Sequence, residues 1–264
     1  MIKLLALGDV VGPCGTGFVC AELHGLKTKL GADAVIVNGE NCTKSYNLDT
    51  ASAHALFAAG ADVITGGNHT MQYEQVHDML RSHDRLLRPH NYPPAAPGKG
   101  YCVIQLSNGA RLLTVNLSGQ ALIEPPADNP FACCQRLLYD LTGQYDVAIC
   151  DIHAEATGEK NAFFRCFDGK IAAMFGTHTH VQTSDDRILP CGSGCITDLG
   201  MCGSHDSVIG IDTLAAISRY RTATRPQKRP EPTGDMQICG ALFEIDERTN
   251  RTVNLTRIRY TKGQ

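Results

Sequence analysis

Short apolar runs recur along this chain, and each one ends in a side chain able to hold a metal or a proton. KLLALG (3–8) runs into Asp9, AVIVNG (34–39) into Glu40 and Asn41, and ADVIT (61–65) through two glycines into Asn68 and His69. Between these runs lie stretches of helical periodicity: roughly Gly15 to Leu30, Asp49 to Ala59 and Gln72 to Arg81. In the second, Ala53, Leu56 and Phe57 share a face, and Asp49 or Thr50 is placed to cap it. Strand, helix, strand, helix, strand predicts parallel pairing with right-handed crossovers, hence an α/β fold.

The second half changes character. RPHNYPPAAPGKG (88–100) reads as a loop, and Asn108-Gly109 between two strand-like runs (101–117) reads as a hairpin turn. Segments 145–155 and 170–180 read as strands ending in histidines, and 194–200 as a further short strand. The tail runs 236–245 and 252–260 alternate in polarity and predict an antiparallel hairpin closing a second sheet. Ser218 to Pro232, with basic residues from Arg219 to Arg229, reads as a solvated loop or as a basic lip for an anionic substrate. No domain boundary shows, so residues 1–264 are expected to form a single domain.

Bulk properties narrow the function. A formal net charge of -3 argues against holding long nucleic acid, and so does a chain with no Trp and only 8 Tyr and 8 Phe. No run approaches the ~20 apolar residues of a membrane span, and the N-terminus does not read as a signal sequence. Twelve cysteines are many for 264 residues, but most sit inside apolar runs, where a thiol acts as a small hydrophobe. The expectation is a reduced, cytoplasmic protein acting on a small molecule.

Taken singly, the polar residues at the strand ends have ordinary explanations. Asp9 suits a strand-to-helix turn, Asn68 tolerates a left-handed turn, and His153 fits a half-buried, hydrogen-bonded imidazole. His178 and His180 in GTHTH (176–180) could be a polar turn. Together they say more. Ligands bind outside the carboxyl ends of parallel strands, and five separate strands deliver an acid, amide or imidazole to that edge. Nitrogen and oxygen donors without thiolate suit a pair of iron, manganese or zinc ions. In the simplest arrangement Glu40 bridges the pair, which holds a hydroxide between its members.

The motifs GD, GEN, GNHT, a lone H and GTHTH, in this order, resemble the calcineurin-like metallophosphoesterases. That superfamily usually shows D-x-H, G-D-x-x-D, G-N-H-[ED], H and G-H-x-H. This chain has Val11 in place of the first histidine, GEN for the second motif, and Thr70 where an acid is usual. Those departures, with LGDVVGPCG, LLRPHNYP, DIHAEATGEK and GTHTHVQTSDDRILPCG, resemble the bacterial YmdB-like phosphodiesterases, densely to about Gly210 and more loosely beyond.

The resemblance implies a four-layer sandwich of two mixed β-sheets flanked by helices. It implies hydrolysis of 2′,3′-cyclic nucleotides to 3′-nucleotides, two divalent or trivalent ions, often iron, and leaves a homo-oligomer open. Carried over by position, Asp9, Glu40, Asn41 and His180 would hold one ion, and Glu40, Asn68, His153 and His178 the other. His69 would stand near the leaving oxygen as general acid, an imidazole being suited to proton transfer at neutral pH. Two alternatives stay open: a phosphomonoesterase, with Arg88, Lys99 and the basic loop gripping the phosphate, and a regulatory protein that retains the site.

Overall fold

The computed structural model describes residues 1–222, 230 and 234–262. The N-terminal part runs β1 (Ile2–Leu7), β2 (Asp9–Val10), α1 (Gly12–Leu30), β3 (Ala34–Asn38), α2 (Thr50–Ala59), β4 (Val63–Thr65) and α3 (His77–Ser82). Then follow β5 (Tyr101–Gln105), β6 (Arg111–Ser118), α4 (Pro130–Asp140), β7 (Val147–His153), α5 (Thr157–Cys166), β8 (Ala173–Thr177), β9 (Arg187–Ile188) and β10 (Gly194–Ile196). The chain ends with β11 (Met201–Ser204), α6 (Thr213–Thr222), β12 (Met236–Asp246) and β13 (Arg251–Thr261).

Among the described residues the strands make two mixed sheets. One has the order β2-β11-β12-β1-β3-β4, with β13 also paired to β12, and the second has the order β5-β6-β7-β8-β10-β9. Three apolar layers show how they stack. Leu5, Leu7, Val35 and Val37 face α1 and α2 on the outside of the first sheet. The alternate residues Leu4, Ala6, Ala34 and Ile36 meet Leu112, Val147, Ile149 and Phe175 of the second sheet. Leu113, Val115, Cys150 and Ile152 face α4 and α5 on its far side. Strands buried on both faces read as continuous apolar runs, and the period of two deals alternate residues to opposite layers. The four-layer sandwich is the expected fold.

Helix starts follow local chemistry. Asp49 caps α2, its Oδ1 accepting from Ser52 N at 2.7 Å. Helix α1 begins at Gly12, earlier than its periodicity suggests, because Pro13 fits the first turn, where no backbone donor is needed.

Three expectations need correction. The tail hairpin does not close a second sheet. Strand β12 lies antiparallel beside β1 in the first sheet, over Gly240–Ile245 paired with Ile2–Leu7. Its residues 237–243 are buried on both faces, which an edge position would not satisfy. The stretch from Gln72 does not form one helix; a 3₁₀ turn at Glu74–Val76 precedes α3. Ser218 to Thr222 is not loop but the last turn of α6, carrying Arg219 and Arg221. Arg225, Lys228 and Arg229 lie outside the described residues. No helix among the described residues is long and apolar enough to cross a membrane.

Candidate metal centre

The layer between the sheets is apolar toward the strand starts and polar at their carboxyl ends. Asn38, Thr65, Asn116, Asp151, His153 and Thr177 are fully buried there. Above them strand β2, the loops after β3, β4 and β8, and the end of β7 bring every expected ligand into one cluster.

The contacts close a ring. His153 Nε2 lies 3.0 Å from Asn68 Oδ1, 3.1 Å from Glu40 Oε1 and 2.9 Å from His178 Nδ1. Glu40 Oε1 accepts from Asn41 Nδ2 at 3.0 Å, and Asn41 Nδ2 is 3.2 Å from His180 Nε2. His180 Nε2 is 3.7 Å from Asp9 Oδ1, and Asp9 Oδ2 accepts from His178 N at 3.1 Å. Among the described residues, Glu40, His153 and His178 are the group whose ligand atoms all lie within 4.8 Å of one another.

This donor set suits a cation better than a hydrogen-bond network. Buried Asp151 accepts from Thr65 Oγ1 at 2.6 Å, Asn38 Nδ2 at 3.1 Å and Thr177 Oγ1 at 2.8 Å. The Thr177 hydroxyl proton is thereby used, so its oxygen accepts from His153 Nδ1–H at 2.9 Å. His153 Nε2 therefore turns toward three groups that all carry lone pairs. Burial lowers the His153 pKa, but the Glu40 and Asp9 carboxylates overcome it and lift His153 to about 9. Nε2 is thus a place where positive charge is favoured. A single proton there satisfies one neighbour; a cation satisfies all of them. Donors held ~2.1 Å from one ion at the right angles of octahedral coordination stand about 3 Å from each other, the spacing seen here.

The remaining charges agree. Burial and the neighbouring His153 push His178 down to about 3, leaving it neutral with a lone pair to offer. Burial raises Asp9, and its Oδ1 is buried without a hydrogen bond. Against the opposing effect of burial, His153 holds Glu40 below the ordinary carboxylate range. A Cβ on Gly67 would run into Glu40 Oε2 and the His153 ring, so only glycine leaves that space open. His178 and His180 both have left-handed backbones, φ 102 and 65, a strain of the kind found at functional sites. The second group of donors is looser. The Asn41 amide turns its nitrogen to Glu40 and His180 and its oxygen to His69 Nδ1, 2.9 Å away, so ligation through oxygen needs the opposite orientation.

Two supports escaped the sequence reading. Asp151 and Thr177 fix the His153 ring, as described. Lys160 of α5 and Asp198 form an ion pair 2.9 Å long, each 1% exposed. Lys160 Nζ also donates to Thr177 O, and Asp198 accepts from Thr179 N and Gly200 N. The pair thus grips the backbone on both sides of His178. Asp151 stands with His153 at the end of one strand in the sequence, two residues before it and hence on the same face, and only its supporting role was missed; a lysine inside a polar helix gives no such signal.

A cavity of about 590 Å³ opens over the cluster, lined by Glu40, Asn41, His69, His178 and His180, with Lys44, Tyr46 and Tyr73 on its walls. His69 N donates to Glu40 Oε2 at 3.1 Å, and its ring is about a third exposed to the cavity. Arg88 and Lys99, considered above as phosphate grips, line a different cavity. All twelve cysteines are free thiols.

Comparison with known proteins agrees with this architecture. Its relatives make this chain a phosphoric ester hydrolase, and its fold is that of the metallophosphoesterase-type phosphatases. A family model described as YmdB-like protein matches residues 5–258, and the chain belongs to that family. It is 38% identical over 257 residues to the 2′,3′-cyclic-nucleotide 2′-phosphodiesterase of Bacillus subtilis, covering 97% of this chain and 96% of that one. The crystal structure of a novel phosphatase from Mycoplasma pneumoniae superposes with a TM-score of 0.91 at 36% identity, covering 98% of this chain and 93% of the other. A hypothetical protein from Thermus thermophilus gives 0.90 at 32% identity, covering 98% and 99%.

Proposed function

We propose that this protein is a dinuclear-metal phosphodiesterase that opens small 2′,3′-cyclic nucleotides to 3′-nucleotides. The observation that carries the reading is the convergence of lone-pair donors from both sheets on His153 Nε2, beneath a cavity large enough for a nucleotide. The bond broken and the cyclic substrate are supported by the name of the Bacillus subtilis relative. Iron is the first choice of metal, with manganese or zinc as alternatives, and the free thiols favour a reducing compartment, the cytoplasm.

Glu40, Asn68, His153 and His178 would hold one ion, and Asp9, Glu40, Asn41 and His180 the other. When bound, such a pair neutralises charge building on the phosphate oxygens and acidifies water at neutral pH. The chain does the rest. Asp151, through Thr177, keeps the His153 ring turned to the cluster. His69 Nδ1 lies 2.9 Å from the Asn41 side chain, and the ring is partly open to the cavity in which the substrate would lie. As an imidazolium, His69 would give a ring proton to the departing ribose oxygen. Lys44 brings a cationic side chain to the cavity wall, placed to meet an anionic substrate.

Two measurements test this. Turnover of 2′,3′-cyclic AMP should exceed that of a simple phosphate monoester; the reverse ranking would move the function to a phosphomonoesterase. His69→Ala should slow turnover by ~10²–10⁴-fold with metal content unchanged. Loss of metal in that variant would make His69 a ligand and leave the acid unassigned.

A further inference from the structure

Among the described residues, Arg88 is a buried charge with no counter-charge beside it. It is 6% exposed. Its Nη1 donates to Pro89 O at 2.7 Å and His90 O at 3.3 Å, but its Nε is buried with no partner. Burial lowers its pKa, and Tyr92 is the one group acting in the other direction. A guanidinium does not give up its proton in a protein, so burial without an anion is strongly unfavourable.

Arg88 lies on the wall of a cavity of about 530 Å³ that shares no lining residue with the one over the metal cluster. Tyr92, on the same wall, is 4% exposed, and its side chain is tied to Ser118. Lys99 and Arg136 stand at the exposed rim, beside the exposed acids Asp84 and Asp140. Exposed ion pairs of this kind are weak and yield readily to a phosphate. The carboxylates on the wall do not answer Arg88. Asp140 is 3.7 Å from Arg136, and Asp128 acts on Cys133 but not on Arg88. Leu137 and Leu141 complete an apolar side.

We propose that this cavity is a second binding site, separate from the metal centre, for a small phosphate-bearing molecule whose phosphate sits between Arg88 and Lys99. A guanidinium offers paired donors that match phosphate oxygens, and the rim cations suit a dianion better than a single carboxylate. The cavity is larger than an oxyanion requires and within the range of small-molecule sites, so an organic portion can lie along Leu137 and Leu141. The proposal stands apart from the reaction assigned to the metal centre.

Calorimetric titration of the metal-loaded protein with inorganic phosphate tests it. Wild type should show two binding events. Arg88→Met should abolish one and leave the other, at the metal centre, intact. Arg88 also holds two carbonyls, so a second variant guards against misfolding of the first. Lys99→Gln changes only an exposed side chain and should weaken the same event about threefold. One event in wild type, or a second event untouched in the folded variants, would overturn the site. Acetate should not compete with phosphate for it. If acetate does compete, the occupant is a carboxylate and the phosphate assignment fails.

Discussion

Glu40→Ala is expected to cut the metal content from two equivalents per chain to one or none, and to lower turnover by more than ~10²-fold. Glu40 is the carboxylate that touches both groups of donors. Its Oε1 meets His153 Nε2 at 3.1 Å and Asn41 Nδ2 at 3.0 Å, and its Oε2 meets His69 N at 3.1 Å. Even partners outside the immediate ligand set are worth about 10–100-fold in metal affinity or activity, so a shared ligand should exceed that. The fold should survive, because Glu40 and Asp9 are like charges that raise each other's cost of burial. Elemental analysis of the purified variant, with its circular dichroism, checks both halves. Two full equivalents of metal would overturn the shared role of Glu40.

Lys160→Met should be the most destabilising single change near the site. Removing one member of a buried ion pair leaves the other charged and unpaired, at a cost of about 3–5 kcal/mol. Here the orphan would be Asp198, 1% exposed, with backbone donors from Thr179 and Gly200 but no remaining cation. The loss of the bond to Thr177 O should also loosen the strained backbone at His178 and His180, so metal affinity should fall with stability. Lys160→Met combined with Asp198→Asn removes the buried charge and should recover much of the stability. It should not recover metal affinity, because the ammonium that held Thr177 O is gone. Urea denaturation in the presence of a chelator separates the two effects. A single variant losing less than ~1 kcal/mol would show that the pair does not brace the loop.

The parts of the site legible in the sequence were those delivered by the backbone. A strand that ends in glycine and then Glu40, or in GTHTH, announces where its terminal residues will go once parallel pairing is granted. The same logic brought Asp9, Asn68 and His153 to one edge, and the structure sets His153 beside both Asn68 and Asp9. The supports were hidden because they come from elsewhere in space. Lys160 sits in a polar helical stretch and reads as solvent-facing; only the packing of α5 against β8 and the 197–200 turn buries it. Thr177 looks like a spacer between Gly176 and His178 until its hydroxyl is seen between Asp151 and His153. The tail hairpin was legible as a hairpin but not as a member of the first sheet, since alternation along a strand does not say which strand it joins. Arg88 and Lys99 were misplaced for a related reason: a loop rich in Pro and Gly gives no periodicity from which to read the direction of a side chain.

Anomalous X-ray scattering at the iron, manganese and zinc edges, from crystals of the protein purified without chelator, tests the dinuclear centre most directly. Two peaks are expected in the floor of the 590 Å³ cavity, one ~2.0–2.2 Å from donors of Glu40, Asn68, His153 and His178, and a second beside Asp9 and His180. A map with no peak there, in which His153 Nε2 simply hydrogen-bonds to Glu40 at full order, would contradict it.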